Sequence, residues 1–115
     1  MPEFRQAAET EEVEESGAGW TLSVLADARH FQGMAMAARR WDLEPGAATT
    51  ERPAAGAAER FLYVIAGSGR VRIAGDVLEV EREDMVWLQP ADGFALETAA
   101  EPLAVLEATS STTTT

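Results

Sequence analysis

The feature of this sequence best placed to do chemistry is an arginine inside a run of alternating apolar residues. In Glu59-Arg-Phe-Leu-Tyr-Val-Ile-Ala66 the period-two spacing of a strand puts Arg60 on one face with Leu62 and Val64. If that face is buried, the guanidinium needs an anionic partner, because an isolated charge taken out of water is strongly unfavourable. The partner is either an internal carboxylate, with Glu51 and Glu97 the candidates, or the anionic group of a bound molecule. Trp41, Tyr63, Trp87, Phe61 and Phe94 supply either the wall of an apolar pocket or core filling, and so do Met34 and Met36, which alternate on one strand face. The candidate ligand-binding set is therefore Arg60, Tyr63, Trp41, Met36, Trp87, Phe94, Glu51 and Glu97. Glu51, Glu59 and Glu97 are also candidates for a hard-cation site with oxygen ligands, against the plainer reading of solvated strand ends. His30, between Arg29 and Phe31, is either an acid–base group or a solvated turn residue.

Composition removes several alternatives. The chain has no cysteine, so disulfides, thiolate metal sites and a cysteine nucleophile are excluded. All nine basic residues are arginine, which excludes a Schiff-base lysine, and one histidine cannot build a site of two imidazoles. Twenty acidic residues give a net charge of −11, which repels phosphate backbones and anionic membranes. No nucleic-acid or membrane partner is expected. Neither a long apolar run nor a charged-then-apolar leader stands out, and a cytoplasmic location is expected.

At 115 residues one hydrophobic core is expected. Residues 1–19 read as an acidic arm carrying Glu3, Glu9, Glu11, Glu12, Glu14 and Glu15, with an edge strand beginning at Phe4 and a helical turn or loop over Ala7 to Glu15. Residues 109–115, all serine and threonine, read as a frayed tail. Between them, residues 20–108 break into short extended runs: Trp20–Leu25, Gln32–Leu43, Arg60–Ala66, Arg70–Ala74, Val77–Val80, Met85–Leu88, Phe94–Thr98 and Leu103–Glu107. Turn residues separate them at Pro45-Gly46, Gly67-Ser68-Gly69, Gly75-Asp76, Glu83-Asp84 and Pro90 to Gly93. The clearest local element is a hairpin over Arg70 to Val80 about a two-residue Gly75-Asp76 loop. The fold class is all-β, a single-domain sandwich or barrel.

Pro45-Gly46, the loop after it and Glu59 to Gly69 resemble the first motif of the cupin family, and Asp84-Met-Val-Trp-Leu-Gln-Pro90 resembles the second. The resemblance runs from Leu43 to Leu106 and implies a cupin-type jelly-roll β-barrel. It also implies a divalent metal held by two histidines and a glutamate of the first motif and one histidine of the second. This chain departs from that set. Counting back from Gly67, the glutamate position falls on Arg60 and the histidines on Pro53 and Ala55; one residue earlier they fall on Glu59, Arg52 and Ala54. The last histidine falls on Phe94 or Ala95. None of the replacements at the histidine positions offers an imidazole nitrogen, so no metal and no other cofactor is expected. The string Glu59 to Val64 followed by Gly67 is further similar to the metal-free half of the bicupin ureidoglycine aminohydrolases.

Two functions follow from these residues. One is a metal-free cupin that binds a small anionic molecule in an accessory or binding role, assembled as a homodimer through exposed edge strands. The other is an enzyme of small-molecule metabolism, an isomerase, cyclase, lyase or hydrolase with an atypical or metal-independent site. It would use Arg60 for charge stabilisation and Glu59, Tyr63 or His30 for proton transfer.

Overall fold

A computed structural model describes residues 6, 11–27, 35–54 and 59–110, and these form an all-β barrel. The strands are β1 (Glu12–Gly17), β2 (Trp20–Ala26), β3 (Met36–Leu43), β4 (Arg60–Ile73), β5 (Asp76–Glu81), β6 (Met85–Leu88), β7 (Ala95–Glu97) and β8 (Leu103–Ser110). All pairings are antiparallel, in the order β1-β2-β3-β8-β4-β5, with β6 and β7 also on β4. The first half of β4 lies between β8 and β6, and its second half between β5 and β7. One long strand therefore stitches the two sheets together.

That strand replaces two shorter ones expected from the sequence, with Gly67-Ser68-Gly69 as a turn. The glycines serve a bend instead. Gly67 has φ 81°, and a Cβ there would stand 1.8 Å from the carbonyl oxygen of Pro102. Only glycine lets the chain pass that close to the start of β8, and the register shift between Val64 and Ala66 prepares the bend. The expected hairpin is present one residue earlier than its sequence signature suggests. Ile73 pairs with Asp76, leaving Ala74-Gly75 as the loop, with φ of 51° and 87°. Two positive φ values give the backbone twist that matches paired strands.

The acidic segment is a strand from Glu12 onward, in place of the helical turn or loop expected up to Glu15. It pairs with β2 while all six of its residues stay exposed. At the other end β8 continues through Thr109 and Ser110, where a tail was expected to begin. His30, Met34, Ala55 and Phe4 lie outside the described residues, as do the expected strand residues 32–34.

Inward-facing alternate residues fill the barrel: Trp20 and Leu22, Trp41 and Leu43, Leu62 and Val64, Leu88, Phe94 and Leu96, and Leu103 and Val105. Trp41 packs tilted on Trp20 at 5.5 Å and edge-on to Phe94 at 6.0 Å between ring centroids. This aromatic column makes the lower barrel a solid core.

Candidate functional site

A cavity of about 470 Å³ opens at the end of the barrel where this core stops. Arg39 of β3, Arg60 of β4, and Glu107 and Thr109 of β8 project into it, with Leu22 of β2 as the apolar wall. The segment from Arg52 to Ala54 closes one side and Glu14 and Glu15 of β1 the other. The register explains this set. Arg39 pairs with Glu107, Glu107 with Leu62, and Arg60 with Thr109, so their side chains follow the inward faces of three adjacent strands.

Two of the three arginines are already answered. Arg39 Nε donates to Glu14 Oε1 at 2.8 Å, and Arg52 Nη1 donates to Glu15 Oε2 at 2.7 Å. Consecutive strand residues ordinarily point to opposite faces. The register shift between Val13 and Glu15 is a bulge that turns both carboxylates toward the cavity. The hydrogen bond to Glu14 raises the Arg39 pKa above its ordinary value against the lowering effect of burial, so Arg39 remains charged. Arg52 also lies over the Trp41 ring, 5.2 Å from its centroid, and the Arg52–Phe94 backbone bridge holds it there.

Arg60 is different. It is buried, at 6% exposure, and stands over the Phe94 ring at 5.1 Å. One guanidinium nitrogen donates to the carbonyl of Asp92, and Nε has no acceptor. No carboxylate forms an ion pair with it among the described residues. Desolvation lowers its pKa; the charge of Glu107 opposes that, Arg52 reinforces it, and Asp92 opposes it.

Glu107, which sequence reasoning missed, is the matching anion. It is buried at 7% exposure and accepts from Trp41 Nε1 at 2.7 Å and from Thr109 Oγ1 at 3.2 Å. Both donors are neutral. A buried cation and a buried anion thus face one cavity without closing on each other.

Several candidate residues stand elsewhere. Because Arg60 and Leu62 point inward, Tyr63 points outward, where it pairs with Met85 and Leu106. Met36 and Trp87 lie on the same outer face, 50% and 58% exposed, since Trp41 and Leu88 take the inward positions of their strands. Trp41 and Phe94 are core residues that meet the cavity only through the arginines standing over their rings, Arg52 and Arg60. Glu51 is exposed, and Glu59 is an exposed residue whose backbone N–H donates to Ser110 Oγ. Neither meets Arg60.

Glu97 is also no partner of Arg60. It accepts from Arg72 Nε at 3.0 Å and Nη2 at 3.1 Å, with Arg70 Nη1 at 3.6 Å. The hydrogen bond from Arg72 holds the Glu97 pKa below the usual carboxylate range, despite the opposing effect of desolvation. A lowered folded-state pKa stabilises the fold above the unfolded carboxyl value of about 4.3, and that contribution is lost as pH falls through the folded value. Glu97→Gln is therefore expected to flatten the acid limb of a stability–pH profile below about pH 5 and to leave the slope from pH 6 to 8 unchanged. Urea denaturation across that range measures it.

The positions at which the resemblance implies metal ligands carry Arg52 or Pro53, Ala54 or Ala55, Arg60 or Glu59, and Phe94 or Ala95. Arg52, Pro53, Ala54 and Arg60 line the cavity, and the Phe94 ring lies beneath the Arg60 guanidinium. Proline, alanine and phenylalanine side chains donate no electron pair, an arginine repels a cation, and Glu59, the one carboxylate among these positions, is exposed and does not line the cavity, so this donor set does not fit a resident metal. Among the described residues, no group of three or more His, Cys, Asp or Glu side chains is placed to hold one.

The chain superposes on KdgF from Halomonas sp. with a TM-score of 0.76 at 14% identity, over 97% of this chain and 96% of that one. It also superposes on a cupin-2 domain from Rhodospirillum rubrum, with a TM-score of 0.72 at 16% identity over 99% of this chain and 77% of that one. The fold is that of the cupins. The polyketide cyclase RemF from Streptomyces resistomycificus shares this cupin barrel at 0.77, with 17% identity over 97% of this chain and 81% of that one. At such identities the likeness extends to the fold alone. No protein-family model matches the sequence, and no curated protein matches it. No helix of the described residues is long and apolar enough to cross a membrane.

Proposed function

We propose that this cupin barrel binds a small molecule through a carboxylate or similar anionic group, in a binding or accessory role that requires no metal. The observation that carries this reading is Arg60, a buried guanidinium that faces a cavity of about 470 Å³ with Nε unpartnered. A cavity of this size suits a ligand of metabolite dimensions. A thermal-shift screen of small carboxylic acids tests it. At a hundredfold excess over Kd, binding adds about 2.7 kcal/mol, which in a domain of this size raises Tm by roughly 10–20 °C. No rise with any acid overturns the reading. Mass spectrometry of material extracted from the purified protein then searches for the natural ligand.

An enzyme reading stands beside it. It is supported by Glu107, a carboxylate aimed into the same cavity, and by the cyclase and the predicted oxalate decarboxylase among the structural neighbours. Turnover of a bound acid, abolished in Glu107→Gln, decides for it.

We further propose that two copies pair through the outer sheet face formed by Phe61, Tyr63, Met85, Trp87, Leu106 and Met36. The sequence expectation is pairing through edge strands near the N-terminus, from unpaired backbone and apolar content; the exposed apolar side chains favour this face instead. Its charges nearby, Arg40 and Asp42, answer each other at 3.0 Å. Two chains of net charge −11 can meet there without opposing carboxylates. Sedimentation at tens of micromolar is expected to give a dimer for wild type and a monomer for Trp87→Glu. A wild-type monomer overturns this.

A further inference from the structure

Arg60 accounts for only half of the charge left open in the cavity. Glu14 and Glu15 neutralise Arg39 and Arg52, so the groups without a closed ionic partner are the Arg60 cation and the Glu107 anion. A simple carboxylate satisfies the first and is repelled by the second. Each oxygen of Glu107 accepts one hydrogen bond from a neutral donor, and a carboxylate has about four acceptor sites. Acceptor capacity therefore remains, and it faces the same cavity that Arg60 faces.

We infer that the ligand carries a hydrogen-bond donor beside its carboxylate, a hydroxyl or an ammonium group, and that Glu107 is the residue that selects for it. The inference rests on the proposed carboxylate contact with Arg60. Its chemistry is that of a hydroxy acid or an amino acid: the carboxylate lies on the guanidinium and the donor points to Glu107 between Trp41 and Thr109. A zwitterion would neutralise both open charges; a hydroxy acid would complete the hydrogen bonding and keep one negative charge in the site. Trp41 Nε1 is the positioning donor: it fixes one carboxylate oxygen at 2.7 Å while Thr109 Oγ1 holds the other at 3.2 Å, so the group is oriented with one acceptor site of each oxygen in use. Apolar ligands of equal size gain nothing from either group.

The experiment is calorimetric titration of the 115-residue protein with butyrate and its 2-, 3- and 4-hydroxy and 2-, 3- and 4-amino derivatives, which differ chiefly in the donor. A hydrogen bond to a charged acceptor corresponds to about 10- to 100-fold in Kd, so at least one derivative should bind that much more tightly than butyrate. Which set does so separates the hydroxyl from the ammonium. In Glu107→Gln that advantage should fall to within about threefold, with butyrate bound no more weakly than by wild type. Glu107→Asp, which keeps the charge and withdraws it by one methylene, carries the same comparison if the glutamine variant fails to fold. Derivatives that bind no better than butyrate overturn this inference and leave the carboxylate reading standing, provided butyrate binding is lost in Arg60→Met. Failure of every acid to bind wild type, or binding that survives Arg60→Met, overturns both.

Discussion

Gly67→Ala is expected to abolish folding of the barrel. A β-carbon at this position lies 1.8 Å from the oxygen and 2.8 Å from the carbon of the Pro102 carbonyl, and the neighbour is backbone, with no rotamer able to withdraw. The positive φ of 81° adds a cost of about 1–2 kcal/mol for any L side chain. Relief requires moving the start of β8, yet Leu103 and Val105, buried in the core, fix that segment. Ser68 N–H also donates to the Pro102 carbonyl, at 3.3 Å, so the contact that excludes a side chain helps tie β4 to the entry of β8. The loss should exceed about 4 kcal/mol, a large part of the 5–15 kcal/mol that holds an ordinary domain together. Circular dichroism and urea unfolding measure it, and a variant that melts within a few degrees of wild type would show that β8 tolerates displacement.

The sequence makes Gly67 conspicuous, but as punctuation. A Gly-Ser-Gly string between two apolar runs has the composition of a turn, and local pattern cannot separate a turn from a strand that bends between two sheets. What distinguishes them is the Pro102 carbonyl, which lies far away in sequence. Period-two alternation carries much further. It places Arg60 with Leu62 and Val64 on the inner face and, read consistently, excludes Tyr63 from the same pocket. The same rule puts Glu107 on the face of Leu103 and Val105, so the signal for the missed anion was present. An acidic residue at a strand end in a chain of net charge −11 looks like a solvated one, which hid it. Glu14 and Glu15 were beyond reach in another way. Their common direction depends on a bulge, and a bulge is specified by pairing with β2 rather than by any local pattern.

Arg60→Met is expected to leave the barrel folded and to remove its response to carboxylic acids. Two outcomes were open for a buried arginine in an acidic protein. As the sole compensation of a buried carboxylate, its removal would strand that charge and cost about 3–5 kcal/mol. The geometry argues for less. Glu107 keeps its hydrogen bonds from Trp41 at 2.7 Å and Thr109 at 3.2 Å without Arg60, and Arg39 still contributes a favourable field. Methionine meanwhile takes the position above the Phe94 ring and removes an Nε that has no acceptor, a gain where the arginine was incompletely paired. The unliganded variant should therefore melt within a few degrees of wild type. Its Kd for an acid that wild type binds should rise about 10- to 100-fold or more, the equivalent of one or two charge-assisted hydrogen bonds. Arg60→Lys should recover only part of this, because an ammonium group cannot reproduce the planar two-nitrogen contact with a carboxylate. A loss of about 3–5 kcal/mol in the absence of ligand would instead make Arg60 a structural counter-charge to Glu107. The cavity would then be closed to anions by the same pair that now defines it.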